Sequence, residues 1–329
     1  MRPKKIKTLP LLFQSICFLT LIAFSPAAAQ SDIATPFLGA GDRPTFGQPV
    51  RMGDITASAI KEASGLAASR LRDGLLWIIN DGGNSPTLYA VGPQGKKIGS
   101  VRVSDVENID WEDLASFRLD NTAYLLIADV GDNSAGRKDC ILHIVPEPVN
   151  AHGPLTIAAS VKPKWRIRFG YADGPRDCEA VGVDPVGKHI LLLSKRDQPP
   201  VLYTLPLEPS TWDIPLIARK VVPVSNIPPP TDEDRALPFG NRSAWPTAMD
   251  IGGNGTLAVV LTYKYAYLYH RNRQEGWKAA FRRPPLPIAL PAPDSLKQRE
   301  SLCFDYGEKS IFVTSEHLPA PLYRLDLRH

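Results

Sequence analysis

Residues 108–133, NIDWEDLASFRLDNTAYLLIADVGDN, carry the outline of one structural unit. Trp111, Glu112 and Asp113 lead into an apolar strand, and Asp120-Asn121 supplies a turn. The apolar run 123–128 follows and leaves through the acidic, glycine-bearing segment Asp129-Val130-Gly131-Asp132. Two apolar stretches joined by Asp-Asn predict a β-hairpin, because Asp and Asn tolerate the positive φ values of tight hairpin turns.

The same outline recurs four more times. A small or acidic residue followed two places on by an aliphatic one occurs at Ser64/Leu66, Glu112/Leu114, Glu179/Val181, Thr247/Met249 and Glu300/Leu302. The next apolar run ends at Asn80, Ala128, Ser194, Thr262 and Thr314, at offsets of 16, 16, 15, 15 and 14. Leu followed by Tyr or His then recurs at residues 88, 142, 202, 268 and 322. Three rows of anchors in register predict an all-β fold, a five-bladed β-propeller with four-stranded blades. Outer strands are expected at 97–103, 159–169, 218–224 and 278–290. The last repeat reaches His329 without one. The segment 46–55, ahead of the first repeat, is expected to supply it, closing the ring and removing a sheet edge. A β-sandwich and a six-bladed ring are the competing architectures; a sandwich does not require repeats in register.

Residues 1–29 predict a signal peptide. Arg2, Lys4, Lys5 and Lys7 precede the apolar stretch 9–24, and Ala27-Ala28-Ala29 offers small residues for cleavage before Gln30. The stretch is short for a membrane span, and Cys17 lacks the small residues that precede a lipidated cysteine. The expected location is the periplasm or the exterior, with residues 30–45 as an N-terminal extension and 46–329 as one domain. The leader contains four of the 38 basic side chains and none of the 34 acidic ones, so the remainder is balanced. That balance argues against a nucleic-acid partner. No other stretch could span a bilayer, and a monomer is expected.

Trp111-Glu112-Asp113-Leu114-Ala115, residues 129–133 and residues 301–317 carry a family resemblance. Over residues 58–329 the chain resembles exported bacterial propeller proteins of the phytase-like and esterase-like group. In calcium-dependent propeller phytases, acidic residues at the channel mouth hold Ca²⁺ and basic side chains hold phosphate. The resemblance implies that general arrangement here. The chain does not follow their catalytic motif residue by residue, so no catalytic residue is carried over.

A meander topology places the first anchors and the longer loops on one face. Glu112, Glu179 and Glu300 share one repeat position there. Asp81 and Asp129, with Asp113, Asp132, Asp177 and Glu316, lie on adjoining segments. Converging carboxylates raise one another's pKa or demand a cation, and an all-oxygen set suits Ca²⁺ first. The alternative is a solvated acidic rim paired with neighbouring bases. Arg137, Arg176, Lys195, Arg196, Lys264 and Arg299 share the face. They read either as holders of a small anionic or polar ligand or as partners of the acids. Trp111 and Trp245 precede inner strands as inter-blade packing or as a stacking surface for a ligand ring.

GxSxG, HExxH, P-loop and CxxC motifs are absent. With the expected cation and the phytase-like resemblance, the leading enzyme activity is metal-assisted phosphoester hydrolysis. The rival is a non-catalytic ligand- or protein-binding propeller of the cell envelope. Cys140 and Cys178 begin strands of neighbouring repeats on the same face, and export permits an expected disulfide between them. Cys303 remains as a buried thiol.

Overall fold

A computed structural model describes residues 45–211, 214–238 and 240–328. The expected signal peptide and the cleavage site before Gln30 lie outside these residues.

Two strands, β1 (Thr45–Phe46) and β2 (Val50–Ile55), precede the first repeat. β3 (Ala63–Ala68), β4 (Leu76–Asn80), β5 (Thr87–Val91) and β6 (Lys97–Val103) then pair in sequence as an antiparallel meander. The second run takes β7 (Trp111–Leu119), β8 (Thr122–Asp129) and β9 (Cys140–Pro146). The short β10 (Ser160–Val161) intervenes before the run's outer strand, β11 (Trp165–Tyr171). The third run is β12 (Cys178–Asp184), β13 (His189–Ser194), β14 (Val201–Pro206) and β15 (Leu216–Pro223). A one-turn helix, α1 (Asp232–Arg235), stands ahead of the fourth run. That run is β16 (Pro246–Ile251), β17 (Leu257–Thr262), β18 (Tyr265–His270) and, after the short α2 (Trp277–Ala280), β19 (Leu286–Ala289). Finally β20 (Arg299–Phe304), β21 (Ser310–Ser315) and β22 (Ala320–Arg328) pair in order, and β22 pairs antiparallel with both β2 and β1.

The sequence explains this local order. Asp120 and Asn121, between β7 and β8, both adopt positive φ, 46° and 64°. A two-residue turn of that kind matches the twist of the strands it joins. Strands such as β4, β12 and β16 are buried throughout, so both sheet faces pack on something. In β7 the faces separate cleanly. Leu114 joins a core cluster with Trp77 and Ile79 of the first run, whereas Ala115 and Phe117 join one with Val181 and Tyr203 of the third. Further clusters link the third run to the fourth and the fourth to the fifth. The last joins Cys303, Phe312 and Leu322 to Leu66 and Ile78 of the first. Each side chain of this size that is fully buried contributes about 1.5–3 kcal/mol of transfer free energy. The inner strands also touch in series, β3 to β7, β7 to β12, β12 to β16, β16 to β20 and β20 to β3.

Three expectations are corrected. The segment 159–169 divides: β10 pairs parallel with β6 of the first run, and only β11 serves as an outer strand. The segment 278–290 yields only β19, because its start is helical. Trp277 and Phe281 lie one turn apart there, and Phe281 stacks on Tyr269 at 4.3 Å. Cys140 and Cys178 are free buried thiols, not a disulfide. They belong to one cluster, but each sulfur faces a carbonyl, Val130 O at 3.8 Å and Leu193 O at 3.4 Å respectively. Cys303 is a free buried thiol as expected.

Candidate metal centre

Every inner strand carries a register irregularity at its second residue, spanning Ser64, Glu112, Glu179, Thr247 and Glu300. The recurring first anchor of the sequence is thus a β-bulge. An extra residue on one strand is released from the alternation of the ladder and its side chain is re-aimed. The two hydroxyls use this freedom sideways. Ser64 Oγ donates to the Trp111 carbonyl at 2.8 Å, and Thr247 Oγ1 to that of Arg299 at 2.7 Å. Asp113 is fully buried and accepts from the N–H groups of Leu114 (2.8 Å), Val181 (2.8 Å) and Met249 (3.1 Å), so it ties three inner strands together.

The glutamates behave differently. Oxygens of Asp81, Asp110 and Glu112 lie within 4.8 Å of one another, as do those of Glu112, Asp177 and Glu179. Glu112 belongs to both trios. Its side chain is buried, and no hydrogen bond or ion pair reaches it among the described residues. Asp81 follows the end of β4 and Asp110 stands in the turn before β7. Asn108 holds these two segments together, donating from Nδ2 to the carbonyls of Asn80 (3.1 Å) and Asp81 (2.8 Å). Asp129 accepts from the N–H groups of Ile109 and Asp110, both at 3.2 Å, and pairs with Arg137 at 2.8 Å. Asp129 therefore shapes the turn that presents Asp110 and stands outside both trios. The carboxylates are accommodated by missing side chains. A Cβ at Gly131 would overlap Glu112 Oε1 and Asp110 Oδ2, and one at Gly82 would overlap Asp110 Oδ1.

The electrostatics follow from this crowding. Burial, and then the Glu179 charge, pushes Glu112 well above the ordinary carboxyl range. Burial and neighbouring Asp81 raise Asp110 to about 6. Burial raises Glu179 against the pull of Lys195, whose ammonium pairs with it. Glu300 accepts from the Tyr263 hydroxyl at 2.5 Å and lies outside the two trios. Its neighbour Glu316 is raised to about 8 by burial and then by Glu300.

All six basic candidates have partners within the protein. Arg137 serves Asp129, and Arg176 pairs with Asp173 (2.6 Å) and Asp197 (2.7 Å) while stacking on Tyr171 and Tyr203. Lys264 pairs with Asp234 at the one-turn helix α1. Arg299 is buried among the carbonyls of Tyr263, Lys264 and Pro291, and desolvation lowers it to about 10. Lys195 and Arg196 alone reach the trios, Arg196 through Asp177 at 2.6 Å. Trp111 is fully buried inter-strand packing. Trp245 is half-buried on the rim, with the Arg196 guanidinium 4.7 Å from its ring centre.

The arrangement therefore unites Glu112, Glu179 and Asp81 and sets Asp129 and Glu300 apart. It adds Asp110, which the repeat reading passed over. The signal was present two places before each anchor, where Glu62, Asp110, Asp177, Trp245 and Gln298 recur in register. Asp110 and Asp177 of that row belong to the trios, and the charge of Glu62 acts on Asp81. An orphaned buried carboxylate, a glycine cradle and an all-oxygen donor set fit a hard divalent cation.

No protein-family model and no curated protein matches the chain. Solved structures do. The crystal structure of the major Malassezia sympodialis allergen Mala s 1 superposes with a TM-score of 0.52 at 13% identity, covering 83% of this chain and 95% of that one. The WD40 repeats of RRP9 give a TM-score of 0.39 at 12% identity, over 81% and 67% of the two chains. A luciferin-regenerating enzyme gives 0.40 at 13% identity, over 84% and 95%. The chain's own architecture, successive antiparallel sheets whose inner strands touch in series, is propeller-like. At these identities the likeness concerns architecture alone. No helix among the described residues is long and apolar enough to cross a membrane.

Proposed function

We propose that this chain is an exported, five-bladed β-propeller that binds a divalent cation, Ca²⁺ first, at carboxylates gathered where its inner strands begin. Five antiparallel runs, core clusters shared by successive runs and the pairing of β2 with β22 support the blade count and the closure. The basic and apolar leader supports export. The observation that carries the cation is Glu112, a buried carboxylate shared by both trios that no hydrogen bond or ion pair reaches among the described residues. Isolated charge in a protein interior is costly unless it is paired or bound to a metal.

A small anionic or polar ligand would meet this site beside the exposed Arg196 and the Trp245 ring. A divalent cation held there would supply electrostatic stabilisation of charge on a phosphoryl oxygen. Arg196 and Lys195 would add positive charge at the same place, which is the basis for phosphoester hydrolysis. The internal engagement of Arg137, Arg176, Lys264 and Arg299 favours the second reading, a non-catalytic propeller that binds its ligand through the cation. Thermal melting with and without Ca²⁺ tests the cation. The parent should gain stability by linkage, and Glu112→Gln should gain almost none. Equal responses in the two proteins would remove the site. Chelator-sensitive turnover of a generic phosphoester decides between the two readings.

A further inference from the structure

The two carboxylate trios have the outline of a pair of cation sites bridged by Glu112. Their counter-charges differ. In the trio of Glu112, Asp177 and Glu179, the Lys195 ammonium pairs with Glu179 and Arg196 pairs with Asp177 at 2.6 Å. The other Asp177 oxygen accepts the Asp132 N–H at 3.0 Å. Lys195 is only 5% exposed, and its ammonium sits 5.5 Å from the Tyr263 ring centre and 5.9 Å from that of Trp245. Two acids of this trio are thus neutralised by two fixed bases.

The trio of Asp81, Asp110 and Glu112 feels the charges of Lys195 and Arg137 only from a distance. Among the described residues no Lys, Arg or His pairs with any of the three, and the one donor to a side chain is the Gly82 N–H on Asp81. Glu112 is 6% exposed and unpartnered, directed at Asp110 across the space that Gly131 leaves. Asp81 and Asp110 are half-buried, which leaves an approach for an ion.

We infer that the chain holds one divalent cation, at Asp81, Asp110 and Glu112, and that the Lys195 ammonium fills the second trio as a built-in cation. This rests on the cation-binding function proposed above. A second divalent ion between Glu112 and Glu179 would have to share its space with Lys195, and like charges at that separation repel. Replacing Lys195 by an uncharged side chain of similar length would free Glu179, and because the exposed Arg196 stands on a single oxygen of Asp177, the trio could then take a second ion by displacing that one guanidinium.

Calcium titration calorimetry on the mature protein, with circular dichroism as the fold control, tests the inference. The parent and Lys195→Arg should each bind one Ca²⁺, and Lys195→Met should bind two. Asp110→Asn should weaken the parent's binding about a hundredfold or more. Asp177→Asn should weaken it far less, since Asp177 belongs only to the Lys195-filled trio and reaches Asp81 and Asp110 by its charge alone. Two Ca²⁺ in the parent, or one in a folded Lys195→Met, overturns the inference while the cation function stands. Should Lys195→Met fail to fold, strong weakening by Asp177→Asn overturns it in the same way. No Ca²⁺ in the parent removes both.

Discussion

Gly131 matters for what it lacks. Its neighbours Glu112 and Asp110 occupy the space of a side chain, so Gly131→Ala must push one carboxylate away. The variant is expected to fold and to bind Ca²⁺ about tenfold or more weakly, a change of about 1.4 kcal/mol or more, read by calorimetric titration. At this scale the sequence was only partly legible. Glu112 and Glu179 stood out because repetition marks them and carboxylates announce themselves. Asp110 did not, since it sits in a loop whose counterparts include Trp245 and Gln298, so residue type conceals the shared position. Asp129 stands outside the trios for a reason that is equally hidden. Its carboxylate is spent on two backbone N–H groups and Arg137, and hydrogen bonding of that kind has no trace in the residue type.

The inner strand β7 is fixed by Asp113, which reaches N–H groups on β12 and β16 as well as its own. Asp113→Ala would leave three buried donors in search of partners. Each such group costs about 1–3 kcal/mol, so a loss of about 3 kcal/mol or more is expected from equilibrium urea unfolding. Asp113→Asn, which keeps a carbonyl acceptor, should lose less. Inner and middle strands were legible because their apolar runs and turn residues recur at a fixed spacing. Outer strands were not, because their identity is decided by partners far away in sequence. β10 joins β6 rather than its own run, and packing of Trp277 and Phe281 turns the start of 278–290 into a helix. The thiols of Cys140 and Cys178 show the same limit: proximity was readable, side-chain direction was not.

For the whole molecule, excess buried carboxylate sets the pH response. Burial raises Asp110 and Asp250 to about 6, and burial with Glu300 raises Glu316 to about 8. Carboxyl groups in an unfolded chain titrate near 4. The folded state therefore holds these protons more tightly, and the stability they contribute below pH about 4 is lost as pH rises through 6 and 8. His143 acts in the opposite direction. Burial lowers it to about 4, so its contribution falls away as pH drops from about 6.5 through that value. Chelated protein should melt highest on the acid side of neutrality and lower at pH 8. Ca²⁺ should recover the part of that decline due to Asp110 but not the part due to Asp250, which binds the Ile251 and Phe304 N–H groups away from the trios. Melting curves from pH 4 to 8, with Ca²⁺ and with chelator, check both limbs.

The parallel contacts at the outer strands make the perimeter uneven. β10 hems the first run to the second, and Phe169, Gly170 and Tyr171 of β11 stitch the second to the third along Leu216, Ile217 and Ala218 of β15. Among the described residues no strand pairing laces the outer edge of the fourth run, where β19 spans four residues, to either neighbour. Thermal breathing should therefore start at that seam. Amide hydrogens of β19 are expected to exchange well before those of β11 and β15, which should open together as one patch. Exchange followed by mass spectrometry would show a slow arc and a fast gap; uniform rates in the fourth and second runs would mean that edge stitching has no mechanical effect.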